Sequence, residues 1–307
     1  MRVAITGSTG LIGSALARAL GERGDQVVRF VRPSTSLHES SSIRWDPSRG
    51  QLDEGDLFKI GGVDAAVNLA GAGIADRRWD RDRKDAILHS RVRSTELLVQ
   101  AISSMPSGCA TLVSGSAVGY YGSRSDEVLD ESSGPGQDFL AQVCQRWEEA
   151  ADPIKANGTT VTYLRTGIVM SSNGGALKKQ LPLFRVGLGG RLSNGRQWTS
   201  PISLADEVRA ILWIIDHGVE GPVNLTSPGP LTNRDLTAIL AHELNRPAFL
   251  SVPTPALKVV LGSELVDQAI LASQRVIPSA LVQSGFEFHH ANARSIIHWA
   301  LHEESKV

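Results

Sequence analysis

Hydrophobic residues near the N-terminus follow two spacings in turn, first that of a buried strand and then that of an amphipathic helix. Residues 1–6 are mostly apolar and run directly into Gly7, which is typical of a buried parallel strand. Residues 11–23 place their apolar side chains on one helical face, and Gly24 supplies a stop signal for the helix. Residues 26–31 form a second apolar run. Together these runs predict a strand, a helix and a strand within about 30 residues, which is one βαβ unit.

The same alternation continues through the middle of the chain. Apolar runs at 65–70, 110–114 and 160–165 predict strands, and helical periodicity predicts helices at 90–103 and 139–156. Repeated alternation of strands and helices is typical of an α/β fold in which helices cover both faces of a parallel sheet. We therefore expect a Rossmann-type, doubly wound parallel sheet.

The amino-acid composition of the sequence changes after about residue 170. Residues 171–203 are rich in Gly, Ser and Pro, and so long a segment in a compact protein usually belongs to a binding loop or a lid. Helices are predicted at 204–217 and 232–244, with a strand at 223–226 between them. The residues that follow show few strand signals, so we expect a smaller, mostly helical C-terminal lobe.

The composition argues against several classes of function. The 307 residues include 31 Lys and Arg against 32 Asp and Glu, so the chain provides no long-range field to attract nucleic acid or an anionic membrane. Basic residues cluster at 77–84, but acids interrupt the run, which favours a solvated helix start near a phosphate site. No apolar run reaches the roughly 18 residues that a membrane span needs. We expect neither a nucleic-acid nor a membrane partner.

Cysteine and histidine usage favour a cytoplasmic protein without a metal site. Cys109 and Cys144 are too few for a disulfide framework or a metal cluster, so we expect two buried, reduced thiols. The 8 histidines show no spacing typical of metal ligands. The first strand begins at the N-terminus, which leaves no room for a signal peptide, and we therefore predict a cytoplasmic location.

Three glycines between the first predicted strand and helix form the most informative motif. Gly7 permits a tight turn, Gly10 lets the backbone approach a pyrophosphate, and Gly13 allows close helix–strand packing. The free N–H groups and the positive end of the helix dipole would then hold the phosphates. The loop also contains Thr9, Leu11 and Ile12. The alternative is an ordinary βα turn, but the position between strand and helix favours a dinucleotide site.

The Gly-x-x-Gly-x-x-Gly spacing resembles that of the extended, epimerase-like short-chain dehydrogenase/reductases. Further segments resemble motifs of that family in matching order along the chain, namely Asn68–Gly71, Ser114–Ala117, Tyr120–Gly122, Leu164–Val169 and Ser200–Asp206. One atypical branch, usually labelled epimerase family protein, is similar over nearly the whole chain. The segments that carry this similarity include Ser90–Val92, Gly119–Gly122, Trp147–Glu148, Arg246–Pro247, Gln274–Pro278 and Gly285–Phe288.

The resemblance implies where a nicotinamide cofactor would lie. In that family the segment matching 68–71 lies beside the adenine and ribose, and the strand matching 164–169 lies under the nicotinamide. The resemblance also implies a phosphate or ribose contact from Arg91, which lies in the helix predicted at 90–103. The cofactor contacts that the resemblance adds are Leu69, Ala70, Gly71, Arg91, Ser114, Gly115, Arg165 and Ile168.

The end of the second strand indicates which nicotinamide cofactor is bound. An acid at this place bonds the ribose 2′-hydroxyl of NAD, whereas a nearby Arg accommodates the 2′-phosphate of NADP. The strand here ends at Val31 and Arg32, and no acid follows until Glu39. A guanidinium is planar, permanently charged and suited to a phosphate, although a solvated Arg at a strand end is also common. We therefore predict NADP(H), held partly by these two residues.

The expected catalytic groups are incomplete. The resemblance implies a Ser paired with a Tyr-x-x-x-Lys, and Ser116 fits the place of the Ser. Residues 138–147 of the next helix contain neither Tyr nor Lys. Phe139 and Val143, or alternatively Leu140 and Cys144, take that spacing. Tyr120 or Tyr121 would then supply the proton, unless it only stacks on the cofactor or packs the loop; we take Ser116 and Tyr120 as the candidates.

Two functions remain open at this point. One is an NADP(H)-dependent oxidoreductase or nucleotide-sugar-epimerase-like enzyme acting on a small-molecule substrate. The other is a non-catalytic NADP(H)-binding regulatory or sensor protein that acts through a partner. In either case we assign residues 1–225 to an NADP(H)-binding Rossmann domain, with 171–203 contributing to the substrate pocket, and residues 226–307 to a C-terminal substrate lobe. A homodimer is left open.

Overall fold

Strands and helices alternate along most of the chain in the computed structural model, which describes residues 1–33 and 41–304. The strands are β1 (Arg2–Thr6), β2 (Gln26–Val31), β3 (Ser42–Asp46), β4 (Gln51–Leu52), β5 (Val63–Asn68), β6 (Cys109–Ala117), β7 (Val128–Leu129), β8 (Thr160–Thr166), β9 (Ile168–Met170), β10 (Gly190–Leu192), β11 (Trp198–Thr199), β12 (Pro201–Ser203), β13 (Gly221–Leu225), β14 (Leu231–Thr232), β15 (Leu250–Val252) and β16 (Arg275–Val276). The helices are α1 (Leu11–Glu22), α2 (Glu54–Ile60), α3 (Arg81–Ser103), α4 (Phe139–Glu149), α5 (Gly175–Arg185), α6 (Leu204–His217), α7 (Asn233–Glu243), α8 (Thr254–Leu261), α9 (Ser263–Leu265), α10 (Ser279–Gln283) and α11 (Ala293–His302). Tighter turns cover Val118–Tyr121 and Asp152–Asn157, and a wider π-type turn covers Val266–Ile270.

The central sheet confirms the predicted doubly wound α/β fold. Among the described residues, eight strands form it in the order β13-β8-β6-β5-β1-β2-β3-β4. The pairings are parallel except for that of β4, which runs antiparallel to β3 at the edge. From β1 the chain winds outward to β4, then returns to β5 on the other side of β1 and continues to β13. The order therefore reverses between β1 and β5, where such sheets bind ligands at the carboxyl ends of their strands.

Helices cover both faces because the strand side chains alternate. In β1, Val3 and Ile5 point into one buried cluster, where they join apolar residues of α1, α5, α6 and α11. Ala4 points to the other face, where it packs with Leu98, Ile102 and other residues of α3. Each face thus removes its own apolar layer from water, which is the main source of stability for such a sheet.

The long middle helix begins earlier than its periodicity indicated. It was expected over 90–103 but starts at Arg81, where the Asp80 carboxylate caps it by accepting the N–H of Arg83 at 2.6 Å. The first turns are charged and exposed, so they carry little hydrophobic periodicity. The interpretation of 77–84 as a helix start is confirmed.

Two other segments differ from their predicted extent. The helix expected over 139–156 stops at Glu149, and a tight turn with Pro153 follows, because proline cannot donate to a continuing helix. Residues 171–203, expected as loop, contain α5 and the short strands β10 to β12. Their Gly and Pro content favoured a loop, but buried apolar side chains hold α5 in place despite the internal Pro182. A role of this segment as a lid stays a prediction.

The C-terminal residues are joined to the Rossmann part by strand pairs and by a shared core. β14 pairs with β11, β15 with β10 and β16 with β7. Ile296, Ile297 and Trp299 of α11 belong to the same buried cluster as Val3 of the first strand. Both cysteines are free thiols. None of the helices in the described ranges is long and apolar enough to cross a membrane.

Candidate functional site

A cleft of about 1060 Å³ opens at the carboxyl ends of the strands where the sheet order reverses. The glycine loop, the ends of β2, β3 and β5, and one side of α3 line it. The predicted cofactor residues that line this cleft are Gly7, Thr9, Gly10, Val31, Arg32, Leu69, Ala70 and Gly71. The other predicted cofactor residues are not among those that line it: Leu11, Ile12 and Gly13 open α1, Arg91 lies in α3, and Ser114, Gly115, Arg165 and Ile168 lie in β6, β8 and β9.

The glycine loop has the close packing that its sequence implies. Gly7 has a φ of +67°, and a Cβ there would lie 2.6 Å from the carbonyl oxygen of Leu69. A Cβ at Gly13 would lie 2.3 Å from the carbonyl oxygen of Gly7. At Gly10, by contrast, the nearest atom to a Cβ would be that same oxygen at 3.3 Å, and α1 begins there without a side-chain cap. The first N–H groups of α1 are therefore directed to the cleft without a competing side chain.

A buried polar pair, Thr6 and Asn68, fixes the segment that follows β5. The Thr6 hydroxyl donates to Asn68 Oδ1 at 2.6 Å and accepts the N–H groups of Leu69 and Ala70 at 3.1 and 3.2 Å. Asn68 in turn donates to the Thr95 hydroxyl at 2.7 Å. Sequence reasoning did not single out Thr6, although a hydroxyl at the end of a buried apolar strand was a visible signal.

Arg91 is a buried cation beside the cleft. Its guanidinium donates to the carbonyl oxygens of Ala72 and Ile87, both at 3.0 Å, and lies over the ring of Trp147 at 5.0 Å. It also contacts Gly71, where a Cβ would lie 3.2 Å from the guanidinium carbon. Burial lowers the pKa of Arg91, and no carboxylate among the described residues forms an ion pair with it. An anion in the cleft would offset the cost of burying this charge.

The outer part of the cleft carries several charges. Arg32, Arg49 and Arg93 line it together with Asp46 and Asp85. Asp46 is already engaged, because it accepts from Ser48 and lies 3.7 Å from the Arg49 guanidinium. Glu39, the first acid after β2 in the sequence, lies outside the described residues.

Ser116 belongs to a buried charged network. Its hydroxyl donates to Glu148 Oε1 at 2.7 Å. Both oxygens of Glu148 also accept from Arg165, from Nε and from a terminal nitrogen, each at 2.9 Å. Burial by itself would lower the pKa of Arg165, but the Glu148 carboxylate reverses this and raises it. Arg165 therefore stays charged, and the Glu148 carboxylate that it binds holds the Ser116 hydroxyl in place.

The two neighbouring tyrosines have different environments. Tyr121 is fully buried, donates to Asn224 Oδ1 at 2.7 Å and accepts from Arg165 at 3.1 Å, and burial raises its pKa to about 12. Tyr120 is half-buried, with its ring 3.4 Å from the Arg165 guanidinium carbon. Within the described ranges, the Tyr120 hydroxyl has no hydrogen-bond partner. Of the two, Tyr120 has the hydroxyl that is available to a ligand.

Helix α4 presents apolar side chains to this turn. A Cβ at Gly119 would lie 3.5 Å from Leu140 and 3.7 Å from the Cys144 sulfur, so these two residues face the turn that carries Tyr120. Phe139 instead packs against Trp79. Burial raises the pKa of Cys144 to about 12, so its thiol stays protonated at neutral pH. Of the two pairs left open by the sequence, Leu140 and Cys144 therefore face the turn.

Sequence reasoning missed one acid, Glu207, which contacts the last residue of β8. Glu207 is fully buried, and one of its oxygens accepts from the Thr166 hydroxyl at 2.9 Å, while the other has no partner among the described residues. Burial raises its pKa to about 8. The His290 side chain, the backbone N–H groups of His290 and His289, and the Arg209 guanidinium surround Asp206 next to it, and together they lower its pKa to about 2 despite burial. Glu207 directly follows the Ser200–Asp206 motif, and this position was the signal available in the sequence.

We expect Glu207→Gln to stabilise the protein at pH 8 and to have little effect at pH 5. Between an unfolded pKa near 4.5 and the folded value of about 8, the folded state holds a proton that the unfolded state has lost, so stability falls as pH rises through this window. The variant removes that loss, which is about 4–5 kcal/mol. Denaturant unfolding at several pH values measures it, with exposed Glu220→Gln as the control; a variant curve parallel to the wild type would contradict the assignment.

Comparison with known proteins identifies the chain. The model of the NAD dependent epimerase/dehydratase family matches residues 3–226, which is more than half of the chain. The chain belongs to this family. A domain of unknown function matches residues 252–300 of this epimerase family chain, in the predicted C-terminal lobe.

Relatives match over almost their full length. An epimerase family protein of Mycobacterium bovis is 46% identical over 289 residues, covering 94% of this chain and 93% of the relative. A chloroplastic epimerase family homologue from Arabidopsis thaliana is 36% identical over 296 residues, covering 94% and 84%. The crystal structure of a human epimerase family protein with NADPH superimposes with a TM-score of 0.86 at 28% identity, covering 98% of this chain and all of that one. The predicted resemblance is confirmed.

Proposed function

We propose that this epimerase family protein binds NADP(H) in the cleft and uses it to oxidise, reduce or epimerise a small organic substrate. The observation that carries the proposal is the glycine loop, where Gly7 and Gly13 leave no space for a Cβ while Gly10 lines the cleft. This is the cradle that a pyrophosphate requires at a helix N-terminus. The human relative, whose structure was solved with NADPH, supports the same cofactor.

The charged residues around the cleft fit such a ligand. The start of α1 would hold the pyrophosphate, and the segment fixed by Thr6 would lie against the ribose. Arg91 is a buried cation with no carboxylate partner among the described residues, so a phosphate or ribose oxygen would satisfy it. Arg32 at the end of β2 lines the cleft and would receive the 2′-phosphate.

The groups able to hold or move a proton are Ser116 and Tyr120. A nicotinamide cofactor, when bound, supplies hydride transfer. Because Ser116 donates its own proton to Glu148, its lone pairs remain available to accept a substrate hydroxyl. The Tyr120 hydroxyl would be the proton donor or acceptor, while Tyr121 is already engaged by Asn224 and Arg165.

Leu140 and Cys144 favour a second candidate function. They face the Tyr120 turn at the place where the family has its Tyr-x-x-x-Lys pair, and neither side chain can relay a proton at neutral pH. A protein that binds NADP(H) without turnover, and acts as a sensor through a partner, would need no such pair.

Binding and turnover separate the two functions. We expect NADPH to bind more tightly than NADH in a fluorescence titration of the purified protein. Oxidation of NADPH is then followed against a panel of carbonyl compounds and nucleotide sugars. Turnover with one class supports the enzyme; tight binding with no turnover across the panel supports the sensor. Preferential binding of NADH would contradict the NADP(H) assignment.

We expect Arg32→Asp to reverse the cofactor preference. The substitution removes a charged donor from the 2′-phosphate and places a carboxylate where it can bond a 2′-hydroxyl. A lost charge-assisted hydrogen bond of about 1.5–3 kcal/mol corresponds to at least roughly tenfold weaker NADPH binding. The dissociation constants of NADPH and NADH are measured for both proteins, with exposed Arg18→Gln in α1 as control. An unchanged ratio of the two constants would remove Arg32 from the site.

Two further predictions concern the cellular location and the oligomeric state of the protein. A cytoplasmic location stays a prediction, which cell fractionation tests. A homodimer also stays open, and light scattering of the purified protein gives the oligomeric state.

A further inference from the structure

Three side chains of metal-ligating types meet where the ends of α7 and α11 lie together, and none of them lines the cleft. Glu243 is the last residue of α7, and His298 and His302 lie four residues apart in α11. Residues at this spacing share one helical face, so both imidazoles point toward the same carboxylate. The two histidines are a signal in the sequence that was missed, whereas Glu243 lies 55 residues before His298 and is brought to them by the fold.

The distances suit a single ion. His298 Nδ1 lies 3.1 Å from Glu243 Oε2, and His302 Nε2 lies 3.7 Å from the same oxygen. One ligand atom from each of the three residues lies within 4.8 Å of the other two. A tetrahedral zinc ion with bonds of about 2.0–2.1 Å holds its ligand atoms about 3.3–3.4 Å apart. Both imidazoles are on exposed side chains that can rotate toward the less exposed Glu243 carboxylate.

We propose that Glu243, His298 and His302 bind a divalent transition-metal ion, of which Zn²⁺ is the representative. Two imidazoles with one carboxylate suit zinc, copper or nickel better than magnesium or calcium, which prefer oxygen ligands. Three protein ligands leave one position to water. A surface cavity of about 440 Å³ that is lined by Glu243 and His298, and also by His290 and Glu303, lies at this place.

A second carboxylate lies close to one of the ligands. Glu303 Oε1 lies 3.7 Å from His298 Nε2, the ring nitrogen that faces away from Glu243. Carboxylates in this position fix the ring and raise its basicity in metal sites. Without metal, His298 Nδ1 shares a hydrogen bond with Glu243 at 3.1 Å, so the ion would replace one proton.

The site would connect α7 to the end of the last helix. Glu304, two residues beyond His302, accepts the N–H of Ser172 at 2.6 Å and also bonds the Ser171 hydroxyl. An ion that fixes His302 would therefore also hold the segment that follows β9.

Calorimetric titration with Zn²⁺ alone tests the proposal, on the full chain purified without a polyhistidine tag and stripped with a chelator. We expect saturable binding of one ion per chain. His298→Gln and His302→Gln should each weaken it by at least about tenfold, whereas exposed His289→Gln should leave it unchanged. The three variants are compared with the wild type by metal-free thermal unfolding to confirm that they fold.

Two results would overturn the site. One is the absence of saturable Zn²⁺ binding to the wild type, which would leave only a polar contact between helices. The other is equal affinity in the His302→Gln and His289→Gln variants. A Co²⁺ absorption spectrum of the wild type, which distinguishes four-coordinate nitrogen and oxygen ligation from the hydrated ion, gives the same decision if a variant fails to fold.

Discussion

Arg165→Met is expected to lower the free energy of unfolding by about 3–5 kcal/mol, because removal of one partner leaves the other buried charge uncompensated. The Arg165 side chain is 5% exposed and that of Glu148 12%, and they share two hydrogen bonds of 2.9 Å. The methionine would also leave the Tyr121 hydroxyl without one of its partners. Denaturant unfolding of the variant and the wild type measures the loss.

The double variant Arg165→Met/Glu148→Leu is the matched control. Replacing both partners with apolar side chains removes the unpaired charge, so the double variant should recover part of the stability that the single variant loses. Exposed Arg146→Met on the outer side of α4 should change stability by less than about 0.5 kcal/mol. A double variant that is less stable than Arg165→Met would show that the Glu148 charge is not what the single variant leaves uncompensated.

Gly13→Ala should both destabilise the fold and abolish NADPH binding. The added Cβ would lie 2.3 Å from the Gly7 carbonyl oxygen and 2.9 Å from its carbon, and a backbone contact of this kind cannot be relieved by a side-chain rotation. The helix must then move away from β1, which costs about 1–3 kcal/mol and displaces the N–H groups that would hold the pyrophosphate. Thermal unfolding and NADPH titration give the two effects.

Gly21→Ala in the same helix is the matched control, because it changes the helix propensity without adding a steric clash. Gly21 lies in α1 with no atom within 4 Å of an added Cβ, so Gly21→Ala should stabilise by about 0.5–1 kcal/mol and leave NADPH affinity unchanged. Opposite signs for the two Gly→Ala changes are expected. If both stabilise, the close packing of Gly13 on Gly7 is wrong.

Local patterns were sufficient for most of the sheet and for the glycine loop. The strand at 1–6, the helix after it and the loop between them differ from β1 and α1 by at most one residue at each end, because their apolar periodicity and their breakers agree. β3 was missed although Ile43 and Trp45 are buried on either side of exposed Arg44. Its alternation covers five residues and includes charges, so it is too short to stand out from a loop.

Contacts between distant residues lie outside any local pattern. Glu148 and Arg165 come from a helix and a strand that tertiary packing brings together, and nothing in the neighbouring residues of either indicates the partner. The same holds for Glu207 and Thr166, which are 41 residues apart. The sequence could therefore indicate that Ser116 and Tyr120 lie at the end of a strand and in the turn after it, but not that a buried ion pair contacts both of them.

The core that joins the first strand to the last helix has a consequence for synthesis on the ribosome. Val3 and Ile5 share one buried cluster with Ile296, Ile297 and Trp299, so this layer is complete only after α11 has been synthesised. Until then the apolar side chains that α11 covers are exposed on the nascent protein, which is a state that favours aggregation and that chaperones bind. Loss of the last helix would thus be felt first as aggregation of newly made chains.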